Sequence, residues 1–416
     1  MLALQGRENL LLKTMDDQLD VVVTQSAPKL LHLSPDAQTS IISSFARTCT
    51  ALSRLRLFLH IAQGPEPNLQ MSSQKTRPSR TLEAFSEAVD EQIRRFEAWC
   101  SRREERMLHV NPQSVTVVSL LSLEQAIRDE FSETFTEMLN ILRQLSPDRR
   151  LSSQDDFKRL CEQSTFSPSQ FAARLLDIVT SSIHSCNSFG DTATAVSLVH
   201  VFEHSVAPLW DMVHRWLSDP AFTASVSVGH DHSSSALPQE FFIVHTGLSI
   251  EDSDFWSEAF VPRNGMDLRG TQSISCIPIV FDGVSEDILS AGKSLGLLHL
   301  LQRAYGLRIE ESLWKKSWVP FDKLVSNRFD LQSPGARIDG DGDSDSDRRI
   351  FSPDDLTLLV SEHLRSYCSG VRVTLMEVVT RDLGFWRQLH AIEGLFLMQK
   401  SDLTSELLNV IFARVR

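Results

Sequence analysis

Four stretches of this chain carry residue types at spacings that could support chemistry. The sharpest is His200-Val-Phe-Glu-His204, an HxxEH pattern. On a helix the two imidazoles, four residues apart, share a face, and Glu203 stands beside them as a general base, so a third ligand and an open position would complete a zinc hydrolase centre. The downstream carboxylates Glu240 and Glu258 stand in no recognisable ligand context, and the shortness of the motif favours an ordinary pair of helix histidines. A second stretch, residues 291–296 (AGKSLG), contains the Gly-Lys-Ser of a phosphate-binding loop. Such a loop needs a glycine five positions before Gly292 and a strand leading into it. Asp287 stands at that position instead, and Ile288, Leu295, Leu298 and Leu301 set the run inside a helix, where no anion cradle can form.

The third stretch is residues 339–347 (DGDGDSDSD). If Asp339, Asp341 and Asp343 were the first calcium ligands, the sixth loop position would be Ser344 instead of Gly and the twelfth Ile350 instead of Glu. The bidentate ligand is then missing, and a solvated acidic loop is the better reading. Ser344 and Ser346, flanked by acid, are expected acceptors for an acidophilic kinase. The fourth, Gly229–His232 (GHDH), lies in a Ser-rich loop without convergent partners. There is no HExxH and no dinucleotide fingerprint, so no catalytic, cofactor-binding or metal-ligating residue is expected, and the chain reads as a non-enzyme.

The elements that would have to position any of these residues are helices. Ser34 and Pro35 supply a cap and a first helical residue for a run reaching Ile61. Phe85, Val89, Ile93, Phe96 and Cys100 recur at helical spacing, and Ile127, Phe131, Phe135, Met138 and Leu142 make a second stripe. These two helices are expected to pack as an antiparallel pair. Ser167–Pro168 and Asp191 open two more, Ser352–Pro353 another with Asp354 and Asp355 in its first turn, and Ser401 a last one. Gly370 is expected to punctuate the helix that starts at Pro353, with helical pattern resuming over 371–381 and 385–398. The only convincing extended segment is Glu240–Val244. It lies within a span from Phe202 to Arg303 whose four aromatic anchors, Trp210, Trp216, Phe255 and Trp256, are expected to form the central core.

Composition narrows the classes. A length of 416 residues suggests two or three units at ~150 residues each. The net charge of −13 argues against nucleic acid as a partner, because phosphate contacts need clustered Lys and Arg. Six scattered cysteines without a CxxC pair fit buried reduced thiols in an intracellular protein. The N-terminus lacks the apolar core of a secretory signal, and no run of 18 apolar residues is long enough to cross a membrane.

The central landmarks carry a resemblance. PLWDMVHRWLSDP (Pro208–Pro220), QEFFIV (Gln239–Val244), DFW (Asp254–Trp256) and ILSAGKSLGLL (Ile288–Leu298) follow one another in an order that resembles the gamma-tubulin complex components, also called spindle pole body components. FWRQLHAIEGLFLMQKSDLTSELLNVIF (Phe385–Phe412) is similar to a further segment of that family, with Ser401 where glycine is usual. The spacing most resembles the component five subgroup. The resemblance implies an all-α, elongated stack of helical bundles with one short extended segment near 240–245. It also implies a structural role in microtubule nucleation at microtubule-organising centres and spindle poles in the cytoplasm. Its implied partners are gamma-tubulin and other complex components, with no cofactor, no nucleic acid and no membrane. On this reading residues 1–62 are N-terminal helices, 63–80 a linker, 81–383 the N-terminal helical-bundle domain with a disordered acidic loop at 330–350, and 384–416 the start of a truncated C-terminal gamma-tubulin-binding domain. The helix-rich N-terminal region reads as shortened.

Overall fold

Short polar side chains open the long helices where the sequence places them. In the computed structural model of the chain, Ser34 Oγ accepts the Ala37 N–H at 3.2 Å, Ser167 Oγ that of Gln170 at 3.3 Å and Asp191 Oδ1 that of Thr194 at 3.1 Å, each relieving one orphan donor of a first turn. The structure describes residues 3–7, 9–14, 20–24, 34–64, 79–108, 119–147, 149, 151, 153–162, 166–219, 237–248, 252–266, 273–306, 318–329, 353–396 and 401–415. Most of the linker at 63–80, Gly229–His232, the acidic stretch at 330–350 and Ser352 lie outside these residues.

The chain first forms a short antiparallel ribbon, β1 (Leu12–Thr14) with β2 (Val21–Val23), where helices alone were expected. Long helices follow: α1 (Pro35–Ala62), α2 (Arg80–Leu108), α3 (Leu120–Ile127), α4 (Glu133–Leu145), α5 (Gln154–Glu162), α6 (Pro168–Ser188) and α7 (Thr192–Ser218). A π-turn at Arg128–Ser132 runs α3 directly into α4. Both predicted stripes are buried throughout, from Phe85 to Cys100 and from Ile127 to Leu142. They do not pair in the expected way. α2 packs most extensively against α7 and also against α1, while it meets the α3–α4 rod through rings, with Phe96 5.1 Å from Phe131 and 5.5 Å from Phe135. Burial beside the stripe explains the difference: Thr81, Ala88 and Gln92, on its flank, are also buried, so α2 has more surface to cover than one partner can reach.

After α7 the chain makes strand β3 (Ile243–His245), the turn helix α8 (Phe255–Glu258), and strands β4 (Phe260–Pro262), β5 (Asn264–Met266) and β6 (Ser273–Ser275). β3 pairs antiparallel with β4, and β5 with β6. The extended segment is therefore shorter than Glu240–Val244, and the irregular region after it contains a second ribbon that the sequence pattern did not reveal. Helices α9 (Ile279–Asp282), α10 (Ser285–Tyr305), α11 (Phe321–Phe329) and α12 (Pro353–Glu377) close the bundle, and α13 (Phe385–Phe396) and α14 (Ser401–Val415) end the chain. Gly370 does not punctuate α12, which runs through it to Glu377 and into a π-turn at Val378–Asp382. A helix-interior glycine costs about 1 kcal/mol, and the burial of its neighbours Cys368 and Val371 offsets that.

The result is an all-α, elongated fold in which only three two-stranded ribbons interrupt the helices among the described residues. α7 is the hub. Its packing partners are α2, α4, α6, α10 and α11, so it joins the N-terminal helices to those that follow the ribbons. All six cysteines are free, and burial pushes the Cys161 and Cys368 thiols up to about 12, which leaves them inert.

Candidate functional site

The four landmark segments converge on one aromatic core, and their residue types explain one another there. Trp216, fully buried on α7, lays its indole across Gly292 of α10 and donates its Nε1–H to the Ile288 carbonyl at 2.9 Å. Only a residue without a Cβ lets the ring approach that closely, and this is the role of the glycine in the Gly-Lys-Ser run. Phe260 of β4 meets the same indole edge-on at 5.1 Å, and Phe241 lies 6.1 Å from it. The lysine has its own task. Lys293 Nζ donates to the carbonyls of Trp256 and Ser257, at 3.3 and 3.1 Å, which ties the α8 turn to α10 and answers the orphan carbonyls there.

A turn and a half earlier on α7, Trp210 is held between Phe281 at 6.2 Å, Trp318 at 4.7 Å and Phe321 at 5.4 Å, and it donates to the Val319 carbonyl at 3.1 Å. Trp318 in turn stacks on His214 at 4.6 Å and meets Tyr367 edge-on at 5.9 Å, and burial pushes the His214 pKa down. Trp318, Phe281 and Tyr367 were not singled out in the sequence. A Trp-x-Pro placed just before α11 is the one signal that points to any of them. Phe242 completes the chain of rings, 4.8 Å from Phe241 and 6.0 Å from Phe281. Glu240, just before this pair, reaches α2, where its Oε1 accepts the Thr81 N–H at 3.2 Å. Burial raises its pKa, while Ser79 and the backbone N–H groups of Thr81 and Arg80 pull the other way. The EFFI segment thus caps one helix with its acid and fills the core with its rings.

One of the four expected anchors is not internal. Trp256 is 43 % exposed and forms a wall of a groove of about 310 Å³ with Leu289, Lys293, Leu297 and Leu375. An indole that is half dry and half wet suits a contact surface better than a core.

The HxxEH residues do not converge. His200 Nδ1 lies 3.2 Å from Glu203 on its own helix, whereas His204 Nε2 lies 3.5 Å from Glu91 on α2, so the two imidazoles are committed to different carboxylates. Among the described residues no group of three or more His, Cys, Asp or Glu side chains is placed to hold a metal ion. The run Gly292-Lys-Ser-Leu-Gly296 also has the GxSxG spacing of a nucleophile elbow. Ser294 lies inside α10 and gives its hydroxyl proton to the Ser290 carbonyl at 2.8 Å, with no strand before it, so it has neither the turn nor the base of a nucleophile.

A half-buried acid adds a pH dependence. Asp177 of α6 accepts the Ile279 N–H at 2.8 Å and so fastens the start of α9. Burial pushes its carboxyl up to about 6, with the Ile279 hydrogen bond opposing and Asp282 adding to the rise. Between about pH 4 and 6 the folded chain therefore holds a proton that the unfolded chain has released. Stability falls as pH rises through that window, by at most about 3 kcal/mol. Asp177→Asn keeps an acceptor for Ile279, so the variant is expected to gain on the wild type at pH 7 but not at pH 4. Urea midpoints at the two pH values measure this, and parallel pH profiles would contradict it.

Among the described residues, exposed large apolar side chains cluster on α13 and α14. On α13 Trp386 is 57 % and Phe396 81 % exposed, and on α14 Phe412 is 65 % exposed, alongside Leu389, Ile392, Leu408 and Ile411. Apolar side chains exposed together in this way are a feature of contact surfaces. Comparison with known proteins gives two findings. A segment of 79 residues, 19 % of this chain, is 35 % identical to the transcription antitermination protein NusB of Paenarthrobacter aurescens, and the chain spans 58 % of that protein's length. A family model described as "Gamma tubulin complex component N-terminal" matches residues 1–380.

Proposed function

The chain belongs to the gamma-tubulin complex component N-terminal family, and on that premise we propose that it is a structural subunit supporting microtubule nucleation at microtubule-organising centres and spindle poles. The single observation that carries this reading is the family match over 1–380, which includes all four landmark segments of the aromatic core. The architecture supports it. Long helices locked through α7 make a stiff rod, and the polar groups that resemble catalytic motifs are occupied with capping and packing. A structural scaffold role fits a family that is not known as enzymatic, and the divided commitments of His200 and His204 speak against the zinc-hydrolase alternative.

In finer detail, the helical-bundle domain spans 81–383 and makes lateral contacts with other complex components. The exposed Trp256 groove and the apolar faces of α13 and α14 are its candidate surfaces. The apolar faces within residues 384–416 suit the gamma-tubulin side of the assembly. The order and spacing of the landmarks favour the component five subgroup. Among the described residues no helix is long and apolar enough to cross a membrane. The reading is tested by depleting the protein from cells and following microtubule regrowth from organising centres after cold depolymerisation. Slowed regrowth that is restored by re-expression is expected, and normal regrowth kinetics would overturn the nucleation role.

A further inference from the structure

Away from the aromatic core, a cleft of about 560 Å³ opens between the β1–β2 ribbon, α1 and α4. Its floor is aliphatic, made by Val21, Val23, Ala46 and Leu139. Its walls carry three guanidinium groups, Arg47 and Arg54 two turns apart on α1 and Arg143 on α4. A single carboxylate faces them, Asp20, whose Oδ1 takes the Arg54 Nη2 at 2.8 Å. The described lining therefore holds three cations against one anion, a local excess of two positive charges in a chain whose total is −13.

Among the described residues, the nearby carboxylates have other partners. Glu124, which also feels the Arg47 charge, accepts from Arg128 and from the Ser44 hydroxyl. Glu137 accepts from Asn140, and Asn140 accepts from Arg143 Nη1 at 3.0 Å. Arg54 Nε is buried without a hydrogen-bond partner among the described residues. Arg143 pays for this crowding, since burial and then the Arg54 charge lower its pKa. Like charges held together around an apolar floor, with a buried donor unanswered, are the complement of an anion attached to an aliphatic body.

We propose that this cleft binds an acidic peptide segment of a partner protein, its carboxylate or phosphate set among Arg47, Arg54 and Arg143 and an aliphatic side chain on the floor at Val21 and Leu139. The aliphatic floor separates a peptide from a free anion, which would gain nothing from it. Nucleic acid is disfavoured because no aromatic side chain among the described lining residues offers a base a stacking platform, and because the surrounding charge is negative.

The test is fluorescence polarisation of the full chain with a labelled decapeptide carrying three aspartates around a leucine, alongside the same peptide with asparagines and one with phosphoserine. The acidic and phosphorylated peptides are expected to bind, more weakly as salt rises, and the asparagine peptide is not. Arg47→Ala, at an exposed position where folding is not at stake, and Arg143→Ala should each weaken binding about tenfold, the loss of one charged hydrogen-bonding partner. Circular dichroism melting confirms that each variant is folded. Equal binding of the asparagine peptide, or unchanged affinity in both folded variants, would overturn the proposal. So would inorganic phosphate competing at the peptide's own concentration, which would make this a small-anion site, or a single-stranded oligonucleotide binding the same arginines more tightly.

Discussion

Gly292→Ala is expected to destabilise the protein by about 3 kcal/mol, although alanine is the better helix former by about 1 kcal/mol. The added methyl would lie 2.6 Å from Trp216 Cζ2 and closer still to Nε1 and Cε2, inside the indole's van der Waals envelope. The ring has nowhere to go. It is fully buried, Phe260 meets it from the side, and its Nε1–H is fixed on the Ile288 carbonyl, one turn before the glycine on the same helix. Either α10 slides outward, breaking that hydrogen bond and the Lys293 contacts to α8, or Trp216 leaves its rotamer, and both routes lose packing at the hub. Thermal and urea unfolding measure the effect. A melting temperature within a degree of the wild type would show that the indole and the helix are not locked together.

Trp210→Ala should cost about 3–5 kcal/mol, the range for deleting a buried aromatic. The side chain is almost fully buried and touches rings from α9, α11 and the segment before α11, so no single neighbour can collapse into the space it leaves. The Val319 carbonyl also loses its donor, at a cost of about 1–3 kcal/mol if it stays buried. Trp210→Phe should recover much of the packing but not the hydrogen bond, leaving a loss of about 2 kcal/mol. Equal losses for the two variants would mean that the hydrogen bond outweighs the ring contacts, contrary to the packing argument.

Local periodicity made the long helices legible. The stripes at Phe85–Cys100 and Ile127–Leu142 are buried as their spacing requires, and Ser34, Ser167 and Asp191 cap the helices they precede. Features that depend on residues far apart in the chain were not legible. Nothing around residue 292 announces that Trp216 will lie upon it, so the Gly-Lys-Ser run invites a phosphate reading until the two helices are seen together. The same limit hides the allegiance of α2 to α7, because an apolar stripe shows which face is buried but not what covers it. Trp256 illustrates the converse: its neighbour Phe255 is internal, and adjacency in sequence placed both in the core, whereas the α8 turn sends one ring inward and the other out. β5 and β6 are three residues each and carry no alternation long enough to read as strands.

The account's central claim is membership of a gamma-tubulin assembly, and tagging the endogenous protein and sedimenting a cell extract tests it most directly. The chain weighs 46.9 kDa. The account predicts that it migrates in a far larger particle, that gamma-tubulin and other complex components occupy the same fractions, and that affinity capture through the tag brings them down together. Migration at the size of the free chain, with gamma-tubulin in other fractions and none captured, would contradict it.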